Sequence, residues 1–418
     1  MIRAINFLIV CVFLFAFGCD TANNVDPVFE KYFIKYYGSS GDQSGADLLV
    51  NEDGSMILLG NSILPSGEYT AFVIKVNKQG DVIWKRQIGG LNETAVDVEL
   101  IKRGTHQGHL IIALNIGPEA SSRIRLLRVT QHGVGIDSLE VPLHANGVKQ
   151  VVRSITSLGD NDGYIITGYA DKALMVETEP VMDNIDQGDI LAFRIDESLT
   201  QIENIVSTGG ELFGSGIKVF ELPSSPTDRF VIFSFSDKPV SSGFEFNFRF
   251  DAPELGVPSK IGGVTGADTE DEILASVIQT YDEPGFLLAG TSRTQGSVGG
   301  ELYLVKYNTT FDDKTLDQKI LLSRAFECVA AENGPSSSYF ILGNEVAPGN
   351  SKNIMLIKVR GDGSFEEIGN FGTNEGDDTG AALSILPDGR IAIVATMSLE
   401  TRKKVALIIL NGNGGLSK

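Results

Sequence analysis

The chain repeats itself. Gly41-Asp42-Gln43-Ser44-Gly45-Ala46-Asp47-Leu48 opens one unit near its start, and Gly376-Asp377-Asp378-Thr379-Gly380-Ala381-Ala382-Leu383 opens another of the same kind near its end. The interval divides into six steps of about 56 residues, which predicts seven units. A unit of this length cannot bury a core alone, but stacked units share one. The period therefore overrides the two or three domains that 418 residues would otherwise suggest.

Each unit reads as four strands, a to d. In the first these are residues 46–50, 55–60, 71–76 and 82–88, the last followed by Gly89-Gly90. Asp53-Gly54 and Gln79-Gly80 stand between them, where tight hairpins need residues tolerant of positive φ. The a–b turn recurs at Gln107-Gly108, Asp162-Gly163, Asp228-Arg229, Pro284-Gly285, Ser337-Ser338 and Asp388-Gly389. The glycine pair after strand d recurs at Gly209-Gly210 and Gly262-Gly263.

Strands b and c are apolar on both faces, as in Ile165-Ile166 and Phe286-Leu287-Leu288-Ala289. A sheet with one wet face would alternate instead. Four-stranded antiparallel sheets packed face to face around an axis satisfy that burial. The expected fold is an all-β, seven-bladed β-propeller. Six or eight blades are the alternatives, because the fourth unit, roughly 213–263, is degenerate.

The last unit stops after Val405-Ala406-Leu407-Ile408-Ile409-Leu410, one strand short. A surplus strand, Phe33-Ile34-Lys35-Tyr36-Tyr37-Gly38, precedes the first unit. Borrowed as strand d of the last blade, it would put Phe33 in the place of Trp84, Tyr37 of Ile88 and Gly38 of Gly89. Such a join hides an edge strand that would otherwise invite aggregation.

One polar position is regular. Strand c carries a basic residue between apolar neighbours at Lys75, Arg128, Arg194, Arg249, Lys306 and Lys358, with Ile409 in the seventh copy. The expectation is a stem buried between blades and a charged head on a carbonyl or carboxylate. A ring of anion contacts is the alternative.

The first residues are different in kind. Arg3 precedes a 13-residue apolar run, residues 5–17, which has the length of a signal-peptide core and is short for a membrane span. Gly18-Cys19 follows directly and resembles the cleavage site of a bacterial lipoprotein signal. That resemblance implies cleavage before Cys19 and fatty-acyl chains of the palmitate type on the new terminus. The organisation expected is a signal peptide at 1–18, the lipidated Cys19 and a tether through 29, and one propeller domain over 30–418. With Cys11 removed and Cys19 lipidated, Cys328 remains alone, which leaves no disulfide within the mature chain. Its apolar strand reads as a buried, inert thiol.

The Asp-Gly turn, the apolar-Lys-apolar strand around Lys75 and the Trp84-Lys85 to Gly89-Gly90 ending resemble the degenerate propeller repeats of lipoproteins from the Bacteroidota. The likeness runs over most of 30–418. It implies an outer-membrane lipoprotein, periplasmic or at the cell surface, of a group in which many members have no assigned activity.

Charge bounds the partners. The formal net charge is −20, which speaks against nucleic acid, because phosphate binding needs a basic surface. The joints from strand d to the next strand a gather acids: Asp42, Glu93, Glu211, Asp268, Glu270, Asp271, Glu272, Glu375, Asp377 and Asp378. Of these, Asp42, Glu93, Asp268, Asp271, Asp377 and Asp378 are the candidate ligand or cation contacts. Such a ring could hold Ca²⁺, which takes six to eight oxygens, or attract a basic partner. The plainer reading is solvated loop residues that cap strand ends.

Four histidines, His106, His109, His132 and His144, cluster in sequence without a cysteine ligand and read as chance. Residues 172–189 form an insertion between strands b and c of the third unit, mixing apolar and acidic residues. A long loop of this kind suits partner contact. No Ser-His-Asp order, phosphate-binding glycine loop or zinc signature emerges. The expected function is a binding or scaffold module on a monomeric ring, with a protein or glycan as partner. The alternative is a carboxylate-dependent glycan-cleaving hydrolase or lyase on the channel face.

Overall fold

In a computed structural model of the chain, every repeat folds into one antiparallel sheet, and seven such sheets form a seven-bladed β-propeller. The structure describes residues 31–38, 41–118, 121–141, 149–159, 163–170, 175–176, 179–180, 189–208, 214–222, 229–237, 243–251, 258–264, 270–281, 283–347, 351–373 and 376–417. The chain divides into two units, Met1–Lys31 and Tyr32–Lys418. Signal peptide, Cys19 and tether all fall in the first, outside the described residues.

Blade 1 comprises Asp42–Val50, Met56–Ile63, Tyr69–Val76 and Val82–Ile88, in that order across the sheet. Blade 2 comprises Glu93–Leu100, Leu110–Ile116, Arg123–Val129 and Gly135–Glu140. Blade 3 comprises Gln150–Ser157, Tyr164–Ala170, Asp189–Ile195 and Ile202–Thr208, and blade 4 Gly214–Glu221, Phe230–Asp237, Phe244–Asp251 and Pro258–Val264. Blade 5 comprises Glu270–Thr280, Gly285–Thr294, Glu301–Asn308 and Lys314–Ile320, and blade 6 Ala325–Gly334, Ser338–Val346, Lys352–Arg360 and Phe365–Phe371. Blade 7 takes Thr379–Ile385, Ile391–Leu399 and Arg402–Leu410 from the end of the chain and Phe33–Tyr37 from its beginning.

The borrowed strand keeps the register read from sequence. Phe33 pairs with Ile409 and Tyr37 with Val405, as Trp84 pairs with Lys75 and Ile88 with Ala71 in blade 1. Phe33 and Tyr37 enter a core shared by blades 7 and 1, with Met56, Leu58, Phe72, Val76, Val405 and Ile409. That sharing explains why the seventh strand c has no cation: its place faces the apolar seam.

Several boundaries differ from the sequence reading; in blade 1, strands b and c run longer, as Met56–Ile63 and Tyr69–Val76. Strand a of blade 1 begins at Asp42, not Ala46, because residues 42–45 pair with Gly60 to Ile63 before a bulge shifts the register. Gly262 and Gly263 lie inside strand d of blade 4 instead of after it, opposite Phe248 and Asn247. The phenyl ring of Phe248 occupies the space a side chain at 262 would need.

The blades are joined by a repeated hydrogen bond. A polar residue on strand b reaches the backbone of the next blade's strand a. Asn61 accepts from the Ala95 N–H at 2.7 Å, and Asn115 accepts from Val152 at 2.9 Å. Thr291 accepts from Cys328 at 2.8 Å and Asn344 from Gly380 at 2.9 Å. Thr396 accepts from Gly45 at 3.1 Å and so crosses the seam where the ring closes.

Three of the strand-c cations also join blades, while Arg249 pairs with Asp251 on its own strand. Lys75 donates to Gln131 Oε1 at 2.9 Å, and Arg128 donates to the Glu197 carbonyl at 2.7 Å, both in the c–d turn of the following blade. Lys306 meets Glu283 at 2.9 Å while its ammonium stands 5.8 Å from the Tyr339 ring. Among the described residues, no helix is long and apolar enough to cross a membrane.

Candidate functional site

Strand a of every blade lines a central channel of about 640 Å³. All seven of these strands carry a register shift at one equivalent place. Such a bulge adds a residue to one strand, leaves it without a partner and bends the strand. The extra residues are Ala46, Val96, Arg153, Ile217, Ala275, Val329 and Ala381, and each lines the channel. The residues that follow them form a ring: Asp47, Asp97, Ser154, Lys218, Ser276, Ala330 and Ala382.

Three members of this ring bind the next blade. Asp47 accepts from the Val98 N–H at 2.9 Å, Asp97 from Ile155 at 2.8 Å, and Ser276 from Ala331 at 3.1 Å. Strand a is the inner edge of its sheet, with a strand on one side only, and a buried amide without an acceptor is costly. A short polar side chain one blade back supplies the acceptor. Lys218 crosses from blade 4 to Asp97 at 3.7 Å and donates to the Ile155 carbonyl at 3.4 Å.

The two carboxylates are pushed apart in acidity. Burial, and then the charge of Asp97, raise the Asp47 pKa well above the usual carboxylate range. Burial also works against charge on Asp97, yet Lys218 and the hydrogen bonds from Asp47, Ile155 and Ser154 outweigh it and hold that group below the usual range. Asp47 thus holds its proton more tightly, and Asp97 less tightly, than an exposed carboxylate. Sequence reading missed both residues as site members. Their signal was an acid at the same place in the first two units, 50 positions apart.

The acids singled out at the joints from the end of strand d to the next strand a, here the upper rim, lie elsewhere. Asp42 accepts from the Lys403 N–H at 3.0 Å. Glu93 accepts from Gly90 at 2.7 Å and pairs with Arg125. Asp271 lies 3.9 Å from Arg293, while Glu270 and Glu272 share Lys319. Asp377 accepts from Lys352 N–H at 3.1 Å. Asp378 is buried, with Ser398 N–H at 2.6 Å and Thr373 N–H on its other oxygen. Asp268, Glu211 and Glu375 lie outside the described residues. Each described rim acid is thus occupied by a backbone amide or a cation. Among the described residues, no group of three His, Cys, Asp or Glu side chains is placed to hold a metal ion.

His106 and His109 share the a–b turn of blade 2, with ring centres 5.6 Å apart, and His132 is in the opposite turn. His144 lies outside the described residues, as does the 172–189 insertion save for two two-residue strands, Met175–Val176 and Glu179–Pro180, and Asp189, which begins strand c. Cys328 is buried in the channel wall, and burial pushes its thiol up to about 12.

No family model matches the chain, and no curated protein matches it. Among solved structures, it is similar to a protein of unknown function from Dyadobacter fermentans, at 10% identity and a TM-score of 0.48, over 90% of this chain and 97% of that one. It is also similar to an α-L-arabinofuranosidase from Fusarium graminearum solved with an iminosugar inhibitor, at 11% identity and a TM-score of 0.45, over 79% of this chain and 96% of that one.

Proposed function

We propose that this propeller is a binding or scaffold module, held outside the cytoplasm by lipid on Cys19 and presenting its acidic upper rim to a protein or glycan partner. One observation carries the reading: among the described residues, the carboxylates of channel and rim named above are spent on the ring itself. Asp47, Asp97 and Ser276 hold the neighbouring blade, and the rim acids hold backbone amides or cations. A rigid frame of this kind suits presentation of a surface. The channel wall is mostly small and aliphatic, and its aromatic member, Phe235, is buried.

Affinity purification of the lipidated protein from its native membrane, with and without chelator, tests the role. Stoichiometric membrane partners are expected. Their absence, together with turnover of a polysaccharide, would overturn it. Anchoring is tested separately: Cys19→Ser should abolish incorporation of labelled palmitate and move the protein out of the membrane fraction.

The Asp47–Asp97 pair supports a second reading, glycan cleavage in the channel. Two carboxylates driven apart in pKa can divide the acid and base roles of a hydrolysis. Asp47→Asn would then abolish turnover of a cleaved glycan while the ring stays folded.

A further inference from the structure

The outer wall of the ring carries an exposed apolar strip beside the point where the chain enters it. Val82 and Ile83 open strand d of blade 1 and are 53% and 56% exposed. Val134 and Ile136 stand at the same end of strand d in blade 2, 57% and 40% exposed. The strip is continuous with the closing strand. Phe33 packs on Gly80, and Lys35 donates to the Gln79 carbonyl at 2.7 Å, in the turn that leads into Val82. Trp84, the sole tryptophan, bridges the two blades by donating to the Gln131 carbonyl at 3.0 Å, and Gly133 lies against its ring.

The charge here runs against that of the chain. Residues 33–38 and 77–90 carry Lys35, Lys78, Lys85 and Arg86 against one acid, Asp81, although the whole chain is at −20. Blade 2 adds Asp137 and Glu140 on strand d, each already paired with an arginine, Asp137 with Arg128 at 3.1 Å and Glu140 with Arg125 at 3.8 Å. Scattered exposed apolar residues need no explanation, but two valines and two isoleucines at one corner, flanked by cations, mark an interaction surface.

We propose that this corner, made of the lower ends of strand d in blades 1 and 2, docks on the lipid surface that anchors the protein, an inference that rests on the anchoring at Cys19 proposed above. Two observations select a membrane over a protein. Cys19 lies 13 residues before Tyr32, where the ring begins, and an extended segment of that length reaches at most about 45 Å. Apolar side chains with lysine, arginine and a tryptophan beside them are also the mixture that settles at the boundary of acyl chains and anionic headgroups. Docked in this way, the ring stands on its edge near blades 7, 1 and 2.

The test uses the full lipidated chain in vesicles of three parts phosphatidylethanolamine to one part phosphatidylglycerol. Ile83→Cys and Val134→Cys, each labelled with a polarity-sensitive dye, are compared with Leu321→Cys beyond the end of blade 5; the buried Cys328 stays unlabelled. Blue-shifted emission at 83 and 134 but not at 321 is the expected result. Equal emission at all three in protein that floats with the vesicles would overturn the proposal. So would shielding of 83 and 134 by a copurifying protein in the absence of lipid. A combined Val82→Glu, Ile83→Glu, Val134→Glu variant should fold normally, since these side chains are exposed, and lower the residual vesicle binding of the unlipidated Cys19→Ser chain at least tenfold. Anchoring fails separately: if Cys19→Ser floats as well as the parent, the lipid reading is wrong whatever the dyes report.

Discussion

Phe33 lies opposite Ile409 across the seam of the ring, at the position where blade 1 sets Trp84 opposite Lys75. Both members are buried, and the pair joins residues from the two ends of the chain. Truncating Phe33 leaves a cavity where no local segment can collapse to fill it. Phe33→Ala should cost about 3 kcal/mol, read as a lowered urea midpoint. Phe365→Ala, on strand d of blade 6 but exposed, should cost far less. Removal of residues 27–38 altogether should prevent soluble expression or sharply lower the melting temperature.

Gly80 and Gly389 separate two costs of adding a side chain. Both have φ near +80°. A methyl at 80 would come within 2.7 Å of the Phe33 ring, whereas nothing lies within 4 Å of one at 389. Gly389→Ala should therefore cost about 1 kcal/mol of backbone strain. Gly80→Ala should cost clearly more, because the closing strand must shift. Thermal melts of the two variants side by side decide it.

The channel pair predicts opposite effects from one substitution. Folded Asp47 keeps its proton to higher pH than the unfolded chain does, so the stability this confers is complete below the ordinary carboxylate range and falls as pH climbs through the raised value. Asp97 runs the other way: its contribution is present above the ordinary value and is lost as pH falls through the lowered one. Asp47→Asn should raise the urea midpoint at pH 7 and leave it unchanged at pH 3. Asp97→Asn should lower the stability at pH 7 by about 1–3 kcal/mol, since the Ile155 amide and Lys218 lose a charged partner.

Cys328 should be silent in the folded protein. Its thiol is buried and pushed up to about 12, so the reactive thiolate is scarce at pH 8. A thiol reagent should label it only after denaturant is added. Labelling in buffer alone would show that the channel wall opens.

Asn115 holds both the N–H and the carbonyl of Val152, at 2.9 and 3.4 Å. Asn115→Ala strands two polar groups between blades 2 and 3 and should cost about 1–3 kcal/mol. Amide exchange at Val152 should rise in that variant, while Val98, held by Asp47, stays protected.

The blade count, the turns and the closure of the ring were written in the sequence alone. Each depends on local chemistry: residues tolerant of positive φ at the turns, runs apolar on both faces, and a strand missing at one end with its match at the other. The buried stems of Lys75 and Arg128 followed from the same pattern, because a cation between apolar neighbours on a covered strand must lie between blades. What the carboxylates do was decided by tertiary structure. Asp42 and Asp378 read alike as loop acids, yet one takes an amide of blade 7's strand c and the other is sealed beneath two. Asp47 and Asp97 face each other across the channel wall because a bulge in each strand a turns the next residue towards its neighbour, and the amides they hold belong to blades about 50 residues further along. A single strand does not reveal where its ladder slips or which backbone comes to rest beside it. Those facts exist only once the blades are stacked, and they bind acids that the sequence shows merely as polar positions.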